Sequence, residues 1–431
     1  MGFHRVEELV ICRLPRFFSR RSAEALTYDV IVVGAGPAGS TAAYDCTKQG
    51  LKTLLLEKYK LPREKPCGGA VMYRALRTIG EKIPPELIER RIYGLRFLLP
   101  DGKGTEFISD KLIGITVFRD RFDEFLARRA SDAGAELIDN TPVVDASVSS
   151  KSAKVRLADG RELSAKFLLG ADGVNSVVSR ALGLRPKRKE LNKVGLGMEA
   201  DFHVGEEGVL EATEGNPSIL EVCPVDGRVS YGWVFPKREH LAIGIAGAGV
   251  HMRALRPRFD SFYKSVEKRL GVKLNLEKRR TFFLGGDGLG SKNVVQRAIL
   301  IGDAAGFVDP LMGEGIAYAM KSGEFAASVI NKAFDENRYD EKTLSEYQNL
   351  CRNEFSANFA LATRVGVRGP SLAEIILPKV NGHKLAAEIM TMVARGEIGY
   401  KDIPYVVLKR LPRQIPTIIK HVVQSHLATP N

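Results

Sequence analysis

Apolar positions along this chain fall into two rhythms, and glycines mark where one gives way to the other. Tyr28 to Val33 is a short β-branched run that predicts a strand ending at Gly34. Ser40 to Gln49 has helical spacing, and Lys52 to Leu56 predicts a second strand closed by Glu57. Ile113 to Phe118 predicts a strand before a helix from Asp123 to Ala133. Ala298 to Ile301 predicts another strand, with a helix beyond it through about Ala333. Most of the remaining alternation, which predicts antiparallel strands, lies in about 85–112 and 190–285. From about 340 the pattern is helical.

The glycines give the first strand a chemistry. It runs into Gly34-Ala35-Gly36-Pro37-Ala38-Gly39 and at once into the helix, the setting of a dinucleotide fingerprint. Gly34 makes the tight turn, Gly36 lets backbone approach a pyrophosphate, and Gly39, after Ala38, lets helix and strand pack closely. The helix N-terminus offers positive partial charge to phosphates. Glu57 is positioned to accept from ribose hydroxyls.

A second block, Gly302-Asp303-Ala304-Ala305-Gly306 with Gly313-Glu314-Gly315-Ile316 after it, follows an apolar strand and precedes a helix. It suits a contact to the ribityl–phosphate chain of a flavin. Asp303 would bond ribityl hydroxyls, and the amides of Gly315 and Ile316 would face the isoalloxazine edge. A third block, Leu168-Leu169-Gly170-Ala171-Asp172-Gly173, precedes Ser176 and Arg180 on a further helix. No second strand–glycine–helix unit occurs, since neither Gly285 to Gly288 nor Gly244 to Gly249 opens a helix. The cofactor expected is FAD, without a dedicated nicotinamide domain. Electrons would come from transiently bound NAD(P)H or from reduced ferredoxin.

These three blocks, in this order, resemble the flavoprotein hydroxylase superfamily over roughly residues 28–335. The resemblance implies an FAD domain assembled from separated stretches of chain. It also implies that Arg119 reaches the FAD phosphates, a bidentate task that suits a guanidinium, although an exposed arginine at a helix start is the plainer alternative. Val143 would offer a backbone contact to the adenine by the same resemblance. The fold class expected is α/β and α+β: a discontinuous Rossmann-type FAD-binding domain, an antiparallel-sheet substrate domain and a helical C-terminal region. The boundaries expected are 1–27 for a basic extension; 28–84, 113–184 and 286–335 for the FAD-binding domain; 85–112 and 185–285 for the substrate domain; and 336–431 for the helical region.

Charge narrows the partners. Of 431 residues, 64 are Lys or Arg and 51 Asp or Glu, a net charge of +13 that draws the chain to anionic surfaces. No helix-turn-helix, RRM or zinc-finger signature accompanies it, so nucleic acid is not expected. No apolar stretch reaches the roughly 18 residues of a spanning helix, which argues against an integral membrane protein. The five cysteines, at 12, 46, 67, 223 and 351, have no metal-ligand spacing and fit a reducing cytoplasm. Residues 1–27 carry Arg5, Arg13, Arg16, Arg20 and Arg21 but no long apolar core, so they do not read as a secretory signal. Arg185 to Lys189 is a basic run expected in a solvated loop. Tyr405 to Val423 mixes Val, Leu and Ile with Lys409, Arg410, Arg413 and Lys420, which suits either anionic lipid or a helical lid on the FAD domain. The location expected is cytoplasmic, peripherally associated with the membrane.

Cys67, in Lys65-Pro66-Cys67-Gly68-Gly69, lies ten residues past Glu57, where a cofactor fold has no need of a thiol. Gly68 and Gly69 leave room for flavin and substrate to approach it. The alternative is a small buried hydrophobe. In the strand-like run Tyr231-Gly232-Trp233-Val234-Phe235-Pro236, alternation puts Tyr231, Trp233 and Phe235 on one face, an aromatic wall for a long apolar chain or else a plain core strand. Together with Gly244-Ile245-Ala246-Gly247, these two runs resemble the geranylgeranyl reductase family.

That resemblance implies FAD-dependent saturation of isolated double bonds in geranylgeranyl chains. The isoprenoid substrate expected is a membrane glycerophospholipid, the alternatives being geranylgeranyl diphosphate or a chlorophyll-type ester. Cys67, Cys67-Gly68 against the flavin, and Tyr231, Trp233 and Phe235 against the substrate carry the site, with Cys67, Tyr231 and Trp233 as chemical participants. A thiol is a feeble acid towards an unactivated alkene, so Cys67 is expected to assist hydride transfer rather than to act as the sole proton source. Two rivals stand beside this reading. One is a flavin monooxygenase or halogenase, although halogenases have Trp where Tyr231 stands and Ile where Phe235 stands. The other is a prenyl-binding escort protein, against which the intact cofactor blocks argue.

Overall fold

The computed structural model describes residues 27–80, 83–98, 104–184, 194–224, 230–248, 254–285, 288–309, 313–368 and 384–409. The basic extension before residue 27, the run 185–189 and the end of the 405–423 segment lie outside the described residues. The architecture is the mixed α/β one expected, with a Rossmann-type sheet, a largely antiparallel sheet and a helical C-terminal region.

An eight-stranded sheet is built around Thr27–Val33. That strand pairs in parallel with Thr53–Leu56 on one side and Glu162–Gly170 on the other. Glu136–Ile138 and Ala298–Leu300 extend the parallel run outwards. The central residues of these strands are apolar, as burial on both faces requires: Val30, Val32, Leu54, Leu55, Phe167, Leu169 and Ile299 are all fully buried. Helix Pro37–Lys48 starts with proline at its first turn, where no amide partner is lost. It packs on helix Ile316–Asp335 so closely that a methyl group on Gly323 would stand 2.5 Å from the Ala38 carbonyl oxygen.

A seven-stranded sheet forms the second layer, in the order Arg280–Gly285, Val194–His203, His240–Ala248, Ser230–Pro236, Ile219–Pro224, Gly94–Leu98, Gly104–Ile108. All its pairings are antiparallel except that of Ile219–Pro224 with Gly94–Leu98. Helix Leu255–Leu270 covers its outer face, with Phe259 and Val266 buried against Phe202, Val234, Ile243 and Ile245. A small third sheet, Ala70–Met72 with Gly114–Thr116 and Arg90–Ile92, lies at the crossing between the layers.

One helix begins earlier than its polarity suggests. Asp123 reads as a starting residue, but the helix runs Arg119–Asp132 directly from Phe118, with no side-chain cap. Asp123 is instead fully buried inside the first turns, where it binds Arg119. Its charge serves a partner rather than the helix end.

Candidate active site

Three stretches of chain far apart in sequence meet at the first glycine turn. A methyl group on Gly34 would stand 2.4 Å from the Ala171 carbonyl oxygen, and Gly34 has φ +106, a conformation that favours glycine. One on Gly39 would stand 1.9 Å from the Gly34 carbonyl oxygen. One on Gly302 would stand 2.8 Å from the Ala38 side chain. Gly36 is different: a methyl group there would meet only Arg63 Nη2, at 3.8 Å. Of these four glycines only Gly36 keeps such space, where a pyrophosphate would lie.

Glu57 is buried at the end of its strand and accepts the Ala35 amide at 3.0 Å and the Tyr59 amide at 3.2 Å. Val143 opens a strand two residues after Thr141, whose amide bonds the Glu57 carbonyl at 2.8 Å, so both stand at the same end of the cradle. Asp303 Oδ1 lies 3.5 Å from the position of a methyl group on Gly315, and Ile316 begins the long helix after it. Glu57 is thus tied directly to the glycine turn and to the segment leading into Val143, and Asp303 adjoins Gly315.

Arg63 was not expected there. Its guanidinium reaches Glu57 at 3.4 Å and Asp123 at 2.9 Å, and its free edge faces Gly36. Arg119 gives both ends of its fork to Asp123, at 2.7 and 2.9 Å, and lies close enough to the Cys67 side chain to interact with it electrostatically. Burial alone would raise the Asp123 carboxyl, but Arg119 and Arg63 together hold it below the usual carboxylate range. Of these two arginines, Arg63 is the one beside the pyrophosphate turn, and Arg119 stands between it and Cys67.

Cys67 is half-buried and packs with Val71, Ile115, Val117 and Ile316. Its sulfur accepts the Gly69 amide at 3.4 Å. The aromatic strand closes over it. The Trp233 indole nitrogen and the Phe235 ring each come within 2.7 Å of where a methyl group on Gly68 would sit. The Tyr231 hydroxyl reaches the backbone of Gly313, in the loop expected at the isoalloxazine. Neighbouring rings are 5.9 Å apart between Tyr231 and Trp233 and 6.2 Å between Trp233 and Phe235. Gly232 is small for the opposite face, where the Phe262 ring of helix Leu255–Leu270 occupies the space a side chain would need.

Sheet register adds a second bank that the sequence does not announce. Tyr231, Trp233 and Phe235 pair with Ala246, Gly244 and Ala242, which in turn pair with Gly197, Glu199 and Asp201. Directly opposed residues share a face of the sheet. The result is a floor of small residues between an aromatic ridge and an acidic one. Trp233 lies across that floor, since a methyl group on Gly244 would stand 2.1 Å from its ring. Glu199, only 3% exposed, accepts the Cys67 amide at 2.6 Å through Oε1.

The cradle fits FAD on its own evidence: the open space at Gly36, Arg63 beside it, the carboxylate of Asp303 at Gly315, and a buried indole N–H on Trp233 with no hydrogen-bond partner among the described residues. No cluster of three or more His, Cys, Asp or Glu that could hold a metal ion occurs among the described residues.

Two family models match the chain, an FAD binding domain over residues 114–358 and an FAD dependent oxidoreductase over residues 29–181. The chain is 33% identical to digeranylgeranylglycerophospholipid reductase of Methanocaldococcus jannaschii, covering 74% of this chain and 81% of that protein. It is 34% identical to geranylgeranyl diphosphate reductase of Rhodobacter capsulatus, covering 70% and 75%. Among solved structures, a geranylgeranyl bacteriochlorophyll reductase-like protein from Thermoplasma acidophilum superposes with a TM-score of 0.72 at 26% identity, covering 92% of this chain and 99% of the other.

Proposed function

The chain belongs to the geranylgeranyl reductase family of FAD-dependent oxidoreductases, and on that premise we propose that it saturates isolated double bonds of geranylgeranyl chains carried on membrane glycerophospholipids. The observation that carries the reading is the Tyr231–Trp233–Phe235 ridge lying directly on Gly68 and Gly313. An apolar wall at the reacting end of a flavin groove binds by surface burial, which suits a hydrocarbon chain and offers little to a polar substrate.

The residues divide the work. Bound FAD would supply a hydride equivalent at its isoalloxazine ring. Arg63 and the Gly34–Gly39 turn would hold the pyrophosphate, Glu57 the ribose and Asp303 the ribityl hydroxyls. Cys67 would stand at the ring face, held by the Gly69 amide and close to the Arg119 guanidinium. The aromatic ridge would orient the chain and exclude water while the bond is reduced.

A phospholipid source is favoured by relatives named digeranylgeranylglycerophospholipid reductase and by the net charge of +13. The C-terminal helical segment offers a contact. Helical residues 403–409 turn Ile403, Val406 and Val407 inwards and leave Tyr405 and Leu408 outside, 65% and 70% exposed, with Lys401 and Lys409 nearby. Apolar side chains flanked by lysines suit the surface of an anionic bilayer. No helix among the described residues is long and apolar enough to cross a membrane. The donor we propose is NAD(P)H bound transiently at the flavin or a reduced ferredoxin.

The test starts from chemically reduced holoprotein mixed with geranylgeranylated phospholipid in vesicles or with geranylgeranyl diphosphate. Mass spectrometry should show the lipid gaining hydrogen pairs stepwise. Lipid left unchanged beside a reduced flavin would refute the reading; reduction of the diphosphate alone would move the substrate there. In the same assay Cys67→Ala should keep its flavin and lose about 100-fold in turnover, the lower range for a participating group. Full turnover in that variant would reduce Cys67 to packing.

A further inference from the structure

Prenyl reduction consumes a proton for every double bond, and Cys67 is a weak candidate to supply it alone. Beside Cys67 stands a group that the sequence pattern gave no reason to single out. Glu199 lies in the middle of strand Val194–His203, on the acidic ridge facing Trp233 across Gly244. Its Oε1 is pinned by the Cys67 amide at 2.6 Å. Its Oε2 is buried and has no hydrogen-bond partner among the described residues. The Trp233 indole N–H, likewise unpartnered, faces the adjoining Gly68. A bare carboxylate oxygen in such a place is costly, whereas a carboxylic acid there costs far less.

We propose that Glu199 stores, at Oε2, the proton consumed when the prenyl double bond is reduced. The proposal rests on the reading of the site as a prenyl reductase. One hydride reaches one alkene carbon from the reduced flavin, which is left oxidised. At the neighbouring carbon a C–H bond forms as the Oε2–H bond of Glu199 breaks. The carboxylate left behind is reprotonated from solvent before the next cycle.

The surrounding charges fit a group that changes state. Asp201 on the same strand opposes the ionised form, and Lys237 at the end of the aromatic strand and Arg280 on the edge strand favour it. Asp201 itself is held by Lys237 and, at 3.1 Å, by Arg280, so the two cations are shared rather than committed to Glu199. Burial first, and then Asp201, push the Glu199 carboxyl up to about 7, against the pull of the Cys67 amide and the two cations. The acid form therefore prevails below that pH and the carboxylate above it. Turnover that needs the acid form should fall as pH rises through about 7.

The experiment has a spectroscopic arm and a kinetic arm. Infrared difference spectra of flavin-loaded wild type against Glu199→Gln, without substrate, should show a protonated carboxylic acid that titrates away near neutral pH. Glu199→Gln keeps an oxygen for the Cys67 amide, so the loop should stay in place. It should load FAD and be reduced by dithionite as wild type is, yet saturate bonds about 100-fold more slowly, the low end for a positioned acid. Asp201→Asn should move the pH limb of turnover downwards, because it removes the opposing charge and releases Lys237 and Arg280 towards Glu199. A missing acid band, or a Glu199→Gln variant with wild-type rate and pH profile, would overturn the proposal. So would a pH limb unmoved in Asp201→Asn. Failure of the substrate reading is separable, since the acid band would then be present in a protein that leaves prenyl lipids untouched.

Discussion

Gly39→Ala should give a colourless protein of lowered stability. The position is inside helix Pro37–Lys48, where alanine in place of glycine ordinarily stabilises by about 1 kcal/mol. Here the added methyl group would stand 1.9 Å from the Gly34 carbonyl oxygen and 3.0 Å from the Ala171 side chain. The first of these is backbone, so no side chain can swing aside. Relief requires the helix to move off the strand or the turn to open, an overpacking cost of about 3 kcal/mol or more. Gly36→Ala provides the contrast. Gly36 has φ −80, which alanine adopts freely, and its methyl group would approach only Arg63 Nη2, at 3.8 Å. That variant should melt like wild type and still bind FAD about 100-fold more weakly, a loss of about 2.7 kcal/mol. The ratio of flavin to protein absorbance, with a thermal melt, reads both effects. A Gly39→Ala protein that is yellow and melts normally would remove the close-packing argument, and a yellow Gly36→Ala would remove the pyrophosphate from that turn.

The contrast between those glycines shows which parts of the site the sequence could announce. Gly34, Gly36 and Gly39 act within six residues, on a turn whose geometry is local, and strand, turn and helix were all legible from spacing. The pairing of Tyr231, Trp233 and Phe235 on one face was equally local, because alternation decides it. Arg63 and Glu199 were invisible for the opposite reason. Arg63 matters because Glu57 and Asp123 both lean on it, and Asp123 belongs to a helix sixty residues away. Glu199 matters only because Gly244 separates it from Trp233 in the register of three strands. Neither register nor that glycine gap can be read from one strand at a time. Asp123 also misled directly: a polar residue before an apolar run suggests a helix start, yet it serves as the buried partner of two arginines.

Trp233→Ala should be the most damaging change on the substrate side. The ring is 4% exposed, lies against the backbone of Gly244 and Gly68, and neighbours Tyr231, Phe235 and Phe282, the last at 6.3 Å. Two glycines framing one indole leave nothing to fill the void when it is removed. Collapse is therefore restricted, and the loss should approach the usual 3–5 kcal/mol for truncating a buried tryptophan. Flavin binding should survive, since Gly36, Arg63, Glu57 and Asp303 stand on other elements. Prenyl turnover should fall about 10-fold or more, with a raised KM, because the wall between the acidic ridge and Phe235 is gone. Trp233→Phe separates packing from the indole nitrogen. It keeps a ring over Gly244 and removes a buried N–H that lacks a partner among the described residues, a group whose burial costs about 1–3 kcal/mol. Stability in that variant should stay within about 1.5 kcal/mol of wild type. Denaturant titration and steady-state kinetics on the two variants decide the matter. A Trp233→Ala protein with wild-type stability and KM would show that the ridge is neither core nor wall. A Trp233→Phe protein that is stable but as slow as the alanine variant would assign the N–H itself to the bound flavin or lipid.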